Sequence, residues 1–208
     1  MARTFSHELV EELAEYATIP IINGLTDLLH PCQAMADFST IAQFMEPREA
    51  TLAYVGDGNN VVNSLLLLAG VLGLRLKVAT PSSHRPDAKI LARAEMLAEG
   101  SGAEITLGED PVEAVRGVDF VYTDTWTSMG QEAEAETRRT IFREYQVNDG
   151  LLAYTDNARV MHCLPAHRGE EVTAAVLDGP QSVVFDQAEN RLHAQNAILE
   201  HLLGSSFS

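Results

Sequence analysis

Cysteine is nearly absent from this chain. Cys32 and Cys163 are its only two, and they stand far apart. No disulfide framework can be built from them, so a reducing, cytoplasmic setting is expected. The same scarcity leaves no C-x2–4-C spacing for zinc, and no metal is expected. Basic residues are also few: 14 lysines and arginines face 30 carboxylates, giving a formal charge of −16 at pH 7. A field of that sign repels nucleic acid and anionic lipid and excludes both as partners. Any anionic ligand has to be held locally, by a few arginines, imidazoles and backbone amides. Long apolar runs are missing too. Leu65–Leu76 is broken by Gly70, Gly73 and Arg75, and Met1-Ala2-Arg3-Thr4-Phe5 lacks the basic and apolar parts of a signal peptide, so neither a membrane span nor a leader is expected. Internal repeats and low-complexity tracts do not occur.

What is present is a chain of 208 residues, 46% hydrophobic, enough for one full domain and a remnant of another. Residues 6–16 read as a helix capped by Ser6, with Leu9, Val10, Leu13 and Tyr16 spaced at three to four. An extended piece, Ile19–Gly24, follows. A second helix starts at Pro31, places Met35, Phe38, Ile41, Ala42 and Met45 on one face, and stops before Pro47. Beyond Pro47 the pattern becomes strand–helix alternation. Strands are expected at Thr51–Val55, Leu76–Thr80, Ala103–Leu107, Phe120–Thr123, Val160–Leu164 and Val183–Phe185, with helices near 60–72, 87–99, 132–145, 170–177 and 188–203. The strands are continuous apolar runs, as burial on both faces requires. The fold class is therefore α/β, a doubly wound parallel sheet with a ligand crevice at the carboxyl ends of its strands. The expected divisions are 1–46, 47–187 and a C-terminal helix, 188–208, packing back on the first.

The suspicious polar residues fall at those strand ends. Gly56-Asp57-Gly58-Asn59-Asn60 follows one strand and opens a helix, as a dinucleotide loop does. However, Val61 replaces the third glycine and the next strand ends Lys77-Val78-Ala79-Thr80 without an acidic residue, so no nicotinamide cofactor is expected. The turn is equally well explained by two capping asparagines. His30-Pro31-Cys32-Gln33 puts an imidazole and a carboxamide at a helix start, where backbone amides favour an anion or a polarised carbonyl; a plain helix cap is the alternative. Asp124 to Gly130 follows a buried strand, with Trp126 expected to pack. In His162-Cys163-Leu164-Pro165 the neighbours on a strand point to opposite faces, which excludes a Cys–His nucleophile. Arg191, read in a first helical turn, opposes the dipole and calls for an anionic partner, unless it is an exposed salt-bridging arginine. Glu132, Glu134, Glu136, Arg138 and Arg139 read as a solvated helix face.

Taken together, His30-Pro31-Cys32-Gln33, Asp124-Thr125-Trp126-Thr127-Ser128-Met129-Gly130-Gln131-Glu132 and His162-Cys163-Leu164-Pro165 resemble the signature blocks of the ornithine carbamoyltransferases, in the aspartate/ornithine carbamoyltransferase family. The resemblance runs from Arg3 to the last helix. It implies a Rossmann-like ornithine-binding domain plus a remnant of a carbamoyl phosphate-binding domain. It further implies transfer of the carbamoyl group from carbamoyl phosphate to the δ-amine of L-ornithine, giving L-citrulline and phosphate, a step of arginine biosynthesis or urea-cycle type. By the same resemblance Arg3, His30, Gln33 and Arg191 hold carbamoyl phosphate, and Asn60, Asp124, Ser128, Met129, Cys163 and Leu164 hold ornithine. His30, Cys163 and Arg191 carry the catalysis, no cofactor is used, and the assembly is a homotrimer.

One family element is missing: no Ser-x-Arg-Thr-Arg string occurs in the chain. The chain is thus expected to begin inside the carbamoyl phosphate domain and to expose apolar faces of the helices at 6–16 and 31–45. The alternative function is a catalytically incomplete fragment serving as an amino-acid-binding or assembly module.

Overall fold

The computed structural model describes residues 1–127 and 130–204. A small parallel pair, β1 (Ala2–Arg3) and β2 (Asn23–Leu25), brackets helix α1 (His7–Tyr16) and leads into α2 (Pro31–Ala42). Ser6 caps α1, accepting from the Leu9 amide, and Pro31 occupies the first turn of α2. The larger sheet is formed by β3 (Thr51–Val55), β4 (Arg75–Ala79), β5 (Glu104–Gly108), β6 (Phe120–Thr123) and β7 (Arg159–His162), all parallel, in the order β5-β4-β3-β6-β7. Helices α3 (Asn60–Leu72), α4 (Ala88–Ser101), α5 (Pro111–Val115), α6 (Ala135–Phe142), α7 (Asp149–Leu152), α8 (Ala174–Leu177) and α9 (Val184–Gly204) complete it. Among the described residues no helix is long and apolar enough to cross a membrane.

Both faces of the central strands β3 and β6 are buried, and the period of two along each strand divides them. Leu52, Tyr54, Phe120, Tyr122 and Met161 enter one core with α2, α3 and α4. Ala53, Val55, Val121 and Val160 enter the other with α5 to α8. This is the doubly wound arrangement that continuous apolar strands require. The chain runs outward from β3 to β5, then returns to β6 beside β3 and proceeds to β7. The direction of winding reverses between β3 and β6, and the crevice opens beyond their carboxyl ends.

Three expectations are corrected. Val183–Phe185 is not a strand: a single bridge joins Ser182 to Val160, and α9 begins at Val184. The buried positions Val184, Gln187, Asn190 and Ala194 recur at helical spacing, so that period overrides the β-propensity of the leading valines. As α9 starts earlier than expected, Arg191 lies two turns inside it and the first-turn dipole argument does not apply. The buried face of α2 also differs. It carries Cys32, Gln33, Ala36, Asp37, Thr40 and Ile41, whereas Met35 and Ala42 are exposed. On α1 only Val10 is buried, and Leu9, Leu13 and Tyr16 face water.

Helices α3 and α4 approach closely through Gly70, where an added Cβ would meet the Ala94 carbonyl oxygen at 2.6 Å. Backbone cannot swing aside as a side chain can. Gly70→Ala is therefore expected to destabilise the chain by about 1–3 kcal/mol despite alanine's helix propensity. Gly100→Ala in α4 meets nothing within 4 Å and is expected to stabilise by up to about 1 kcal/mol. Urea unfolding of the two variants checks the opposite signs.

Candidate active site

The turn after β3 is held open by backbone geometry. Gly56 has φ 147°, outside the range of L side chains, and a Cβ on Gly58 would sit 2.2 Å from the Arg85 backbone. The second glycine thus serves packing against Arg85-Pro86, in place of the close approach to a pyrophosphate that a dinucleotide loop provides. Tyr54 Oη donates to the Asp57 carbonyl at 2.8 Å. Asn59 caps α3, accepting from the Val61 and Val62 amides, and its Nδ2 donates to Asp124 Oδ2 at 2.7 Å. Asn60 lines a cleft of about 350 Å³, and its Nδ2 donates to the Thr26 carbonyl at 2.6 Å.

Asp124 leaves the end of β6 and joins the two sides of the crevice. Its Oδ2 takes Asn59 and its Oδ1 takes the Cys163 thiol, with Sγ at 3.0 Å. Cys163 is half-buried as a residue, but its sulfur turns inward onto that carboxylate. Burial, then the Asp124 charge and hydrogen bond, push the thiol well above its usual range. A thiol so held stays neutral and is a poor nucleophile. Leu164 follows with φ 56°, and its amide donates to His162 Nδ1 at 2.9 Å. A left-handed leucine costs about 1–2 kcal/mol, so the surrounding contacts must impose it. His162 itself is buried, with Nε2 against Glu171 Oε1 at 3.1 Å. Since Nδ1 accepts, the ring proton lies on Nε2. Asp124, His162 and Cys163 have ligand-type atoms within 4.8 Å, as do His167, Glu170 and Glu171. In the first trio both histidine nitrogens are already hydrogen-bonded, so a cation there would have to displace the Leu164 amide or Glu171.

The other side of the site gathers at the start of α2. His30 is its N-cap residue, with no side-chain cap bond; its backbone amide donates to Ser64 Oγ at 2.6 Å and its Nδ1 is buried without a hydrogen bond. The plain capping alternative is thereby excluded. Burial, followed by the charges of Arg191 and Arg3, lowers His30 to about 4, against an opposing pull from Asp124. The imidazole is neutral at pH 7. Arg191 reaches from α9 to the Gln33 carboxamide oxygen, and the Gln195 carboxamide, one turn on, lies beside the same guanidinium. Arg3 is exposed on β1, but β1 is tied down by Ala2 to Ile22 and Thr4 to Leu25 backbone bonds of 2.8 and 3.0 Å. Arg191, Arg3 and Asp124 act on His30 electrostatically, whereas the cleft of about 350 Å³ is lined by Asn60 and not by His30, Cys163 or Arg191. Ser128 and Met129 lie outside the described residues.

Arg138 was expected on a solvated face and is instead buried, 3% exposed. It ion-pairs with Asp57, donates to the Trp126 carbonyl, and lies 5.1 Å above the Phe142 ring, which also stacks on Trp126. Arg139, its neighbour, does face water, pairing with Glu170. Burial raises Asp57 to about 7, Arg138 lowers it, and Asp124 raises it again. Arg138 thus pins the strand-end segment that begins at Asp124 to the turn after β3. The sequence signal was available: Arg138 and Phe142 are four apart, a helical face against which Trp126 could pack.

Family descriptions match two consecutive parts of the chain. "Aspartate/ornithine carbamoyltransferase, carbamoyl-P binding domain" matches residues 1–43, and "Aspartate/ornithine carbamoyltransferase, Asp/Orn binding domain" matches residues 48–202. The anabolic ornithine carbamoyltransferase of Pyrococcus furiosus is 54% identical over 206 residues, 98% of this chain and 65% of that protein. The ornithine carbamoyltransferase of Syntrophus aciditrophicus is 56% identical over 205 residues, 98% of this chain and 67% of that protein. Among solved structures, that of the Pyrococcus furiosus ornithine carbamoyltransferase superposes with a TM-score of 0.94 at 54% identity, covering 98% of this chain and 66% of that one. The anabolic enzyme from Campylobacter jejuni does so with a TM-score of 0.93 at 37% identity, covering 98% and 68%. The chain spans about 65% of the length of the first curated relatives it matches.

Arg138→Met removes the cation that opposes burial at Asp57, which then takes up a proton, so the variant is expected to lose about 1–3 kcal/mol in urea unfolding through the buried polar groups left unpaired. The double variant Asp57→Asn/Arg138→Met is expected to cost less than the two single changes added together, which a double-mutant cycle measures. His30 gives a pH test. Its folded pKa of about 4 lies below the unfolded 6.5, so its contribution to stability is complete above pH 6.5 and is lost as pH falls through 4. The His30 ring resonances are expected to stay constant from pH 8 to pH 5.5. His30→Gln should reduce the slope of stability against pH between 4 and 6.5.

Proposed function

Because the chain belongs to the aspartate/ornithine carbamoyltransferase family, we propose that it transfers the carbamoyl group of carbamoyl phosphate to the δ-amine of L-ornithine, releasing L-citrulline and phosphate. The observation that carries the proposal is the crevice itself. A guanidinium and a neutral imidazole at a helix N-terminus stand on one side, and a thiol-bound carboxylate stands on the other. Arg191, Arg3 and the α2 amides hold the anion, while Gln33 fixes Arg191 in place. His30, unprotonated, can polarise the carbamoyl oxygen without competing for the phosphate charge. Asp124, Asn60, Ser128 and Met129 hold the amino-acid end, a carboxylate opposite an ammonium being a sound pairing in a partly desolvated cleft. The Cys163 thiol and the Leu164 carbonyl orient the δ-amine.

The reacting amine has to be neutral, although a free lysine-like amine has a pKa of about 10.4. A water-poor crevice favours its neutral form. Its nitrogen lone pair forms the new N–C bond, the carbon–oxygen bond to phosphate breaks, the phosphate leaves with that electron pair, and the amine gives up one proton. No covalent enzyme intermediate is needed, consistent with a thiol that resists ionisation. We place the step in arginine biosynthesis or the urea cycle, in the cytoplasm, and propose a homotrimer. Light scattering of the purified chain tests the trimer.

A second function is binding of an amino acid without turnover, through Asn60, Asp124 and Cys163. The test is citrulline formation by the 208-residue chain, beside Cys163→Ala and Arg191→Ala. The transferase predicts turnover with ornithine, greater than with aspartate, putrescine or acetylornithine. It also predicts a loss of at least about 100-fold in Arg191→Ala, the scale of removing one charged stabilising group. Heat of ornithine binding with no citrulline would favour the second function.

A further inference from the structure

One carboxylate in the core serves no catalytic step, and its surroundings are unusual. Asp37 on α2 is wholly buried, yet among the described residues no cation forms an ion pair with it. Its Oδ1 accepts from two carboxamides, Gln33 Nε2 and Gln187 Nε2, each at 2.7 Å. Its Oδ2 faces the buried Tyr122 hydroxyl, whose influence favours the anion although no hydrogen bond of normal geometry joins them. Each amide then presents its oxygen elsewhere: Gln33 Oε1 to Arg191, and Gln187 Oε1 to the backbone N–H of His162 at 2.8 Å. His162 immediately precedes Cys163.

We propose that Asp37 is a positioning residue that sets both halves of the active site at once, fixing the polarity of Gln33 towards Arg191 and of Gln187 towards the strand end that carries Cys163. A carboxamide has a donor end and an acceptor end, and packing alone hardly distinguishes them. An oxygen that can only accept does distinguish them. If either amide turned over, Gln33 would place an NH2 against a guanidinium, or Gln187 would place one against an N–H. Neither contact is a hydrogen bond, and a buried donor left unpaired is costly. An apolar side chain of similar volume would fill the site between α2 and α9 at lower desolvation cost, so stability alone does not account for an aspartate there.

The neighbouring polar pair serves as an internal control. Asn190 Nδ2 donates to Thr40 Oγ1 at 3.0 Å and its Oδ1 accepts from Gln43 at 3.1 Å, joining the same two helices without reaching the site. Burial raises Asp37 to about 7, while Gln33, Gln187 and Tyr122 lower it. A proton on the Tyr122-facing oxygen leaves Oδ1 able to accept from both amides, so the orienting role holds in either state, and Asp37→Asn is the conservative variant.

The consequence for ligands rests on the carbamoyl-transfer function proposed above; the orientation of the amides does not. The experiment combines side-chain amide NMR of the full chain with calorimetric titration of carbamoyl phosphate and ornithine. Gln33 and Gln187 signals are assigned by their loss in Gln33→Met and Gln187→Met. The wild type and Asp37→Asn are expected to show both NH2 groups shifted and slow to exchange, with affinities within about threefold of each other. Asp37→Leu is expected to lose both signatures and at least tenfold in affinity for each ligand, whereas Asn190→Leu keeps the signatures and the affinities. Unchanged amide signals in Asp37→Leu, or equal losses in Asn190→Leu, overturn the proposal. If Asp37→Leu does not fold, Gln187→Met must move the His162 backbone amide and leave the Arg191 Nε resonance in place, and Gln33→Met must do the reverse; any other pattern overturns it. If the wild type binds neither ligand, the transfer function fails for this chain while the NMR comparison still decides the role of Asp37.

Discussion

A parallel sheet covered on both faces leaves polar groups one inexpensive place to gather, the carboxyl ends of its strands. Everything distinctive here follows from that constraint. β3 and β6 are adjacent but separated in sequence by β4 and β5, so the segments leaving their ends diverge, and the gap between them is lined by Asn59, Asn60 and Asp124. β7 adds Cys163 from the side. Positive charge near His30 comes from Arg191 on α9 and Arg3 on β1. Helices α2 and α9 meet over a polar seam instead of an apolar one.

That seam explains the division between what the sequence revealed and what it concealed. The strands of the larger sheet are legible because each is a short apolar run bounded by turn residues, a property of neighbouring positions. The ends of β3, β6 and β7 are legible for the same reason, and with them Asn60, Asp124 and Cys163. Val183–Phe185 looked like a strand because three apolar residues have no measurable period; only Gln187, Asn190 and Ala194 beyond them reveal the helix. Gln33, Asp37 and Thr40 form a buried polar stripe on α2 that no neighbouring position explains. Their partners, Gln187 and Asn190, lie 150 residues away. Arg138 was misjudged likewise, since Asp57, which neutralises it, comes from another strand end.

The expected residues that the structure describes are linked in small groups. His30 and Arg191 are coupled, Gln33 bridges to Arg191, and Cys163 and Asn59 share Asp124. Asn60 takes a position on the cleft wall, with part of its amide engaged by Thr26. His162, at the start of a signature block, acts on the backbone instead: its ring receives the Leu164 amide and holds that leucine in its left-handed conformation.

The burial of His30 separates two properties that a histidine beside arginines usually mixes. With its imidazole neutral down to about pH 4, His30 carries the same charge in mildly acid and mildly alkaline solution. A change in the protein's own charge near neutrality comes instead from Asp37 and Asp57, both raised to about 7 by burial. The imidazole stands outside the pH response, and two buried carboxylates away from it carry the response.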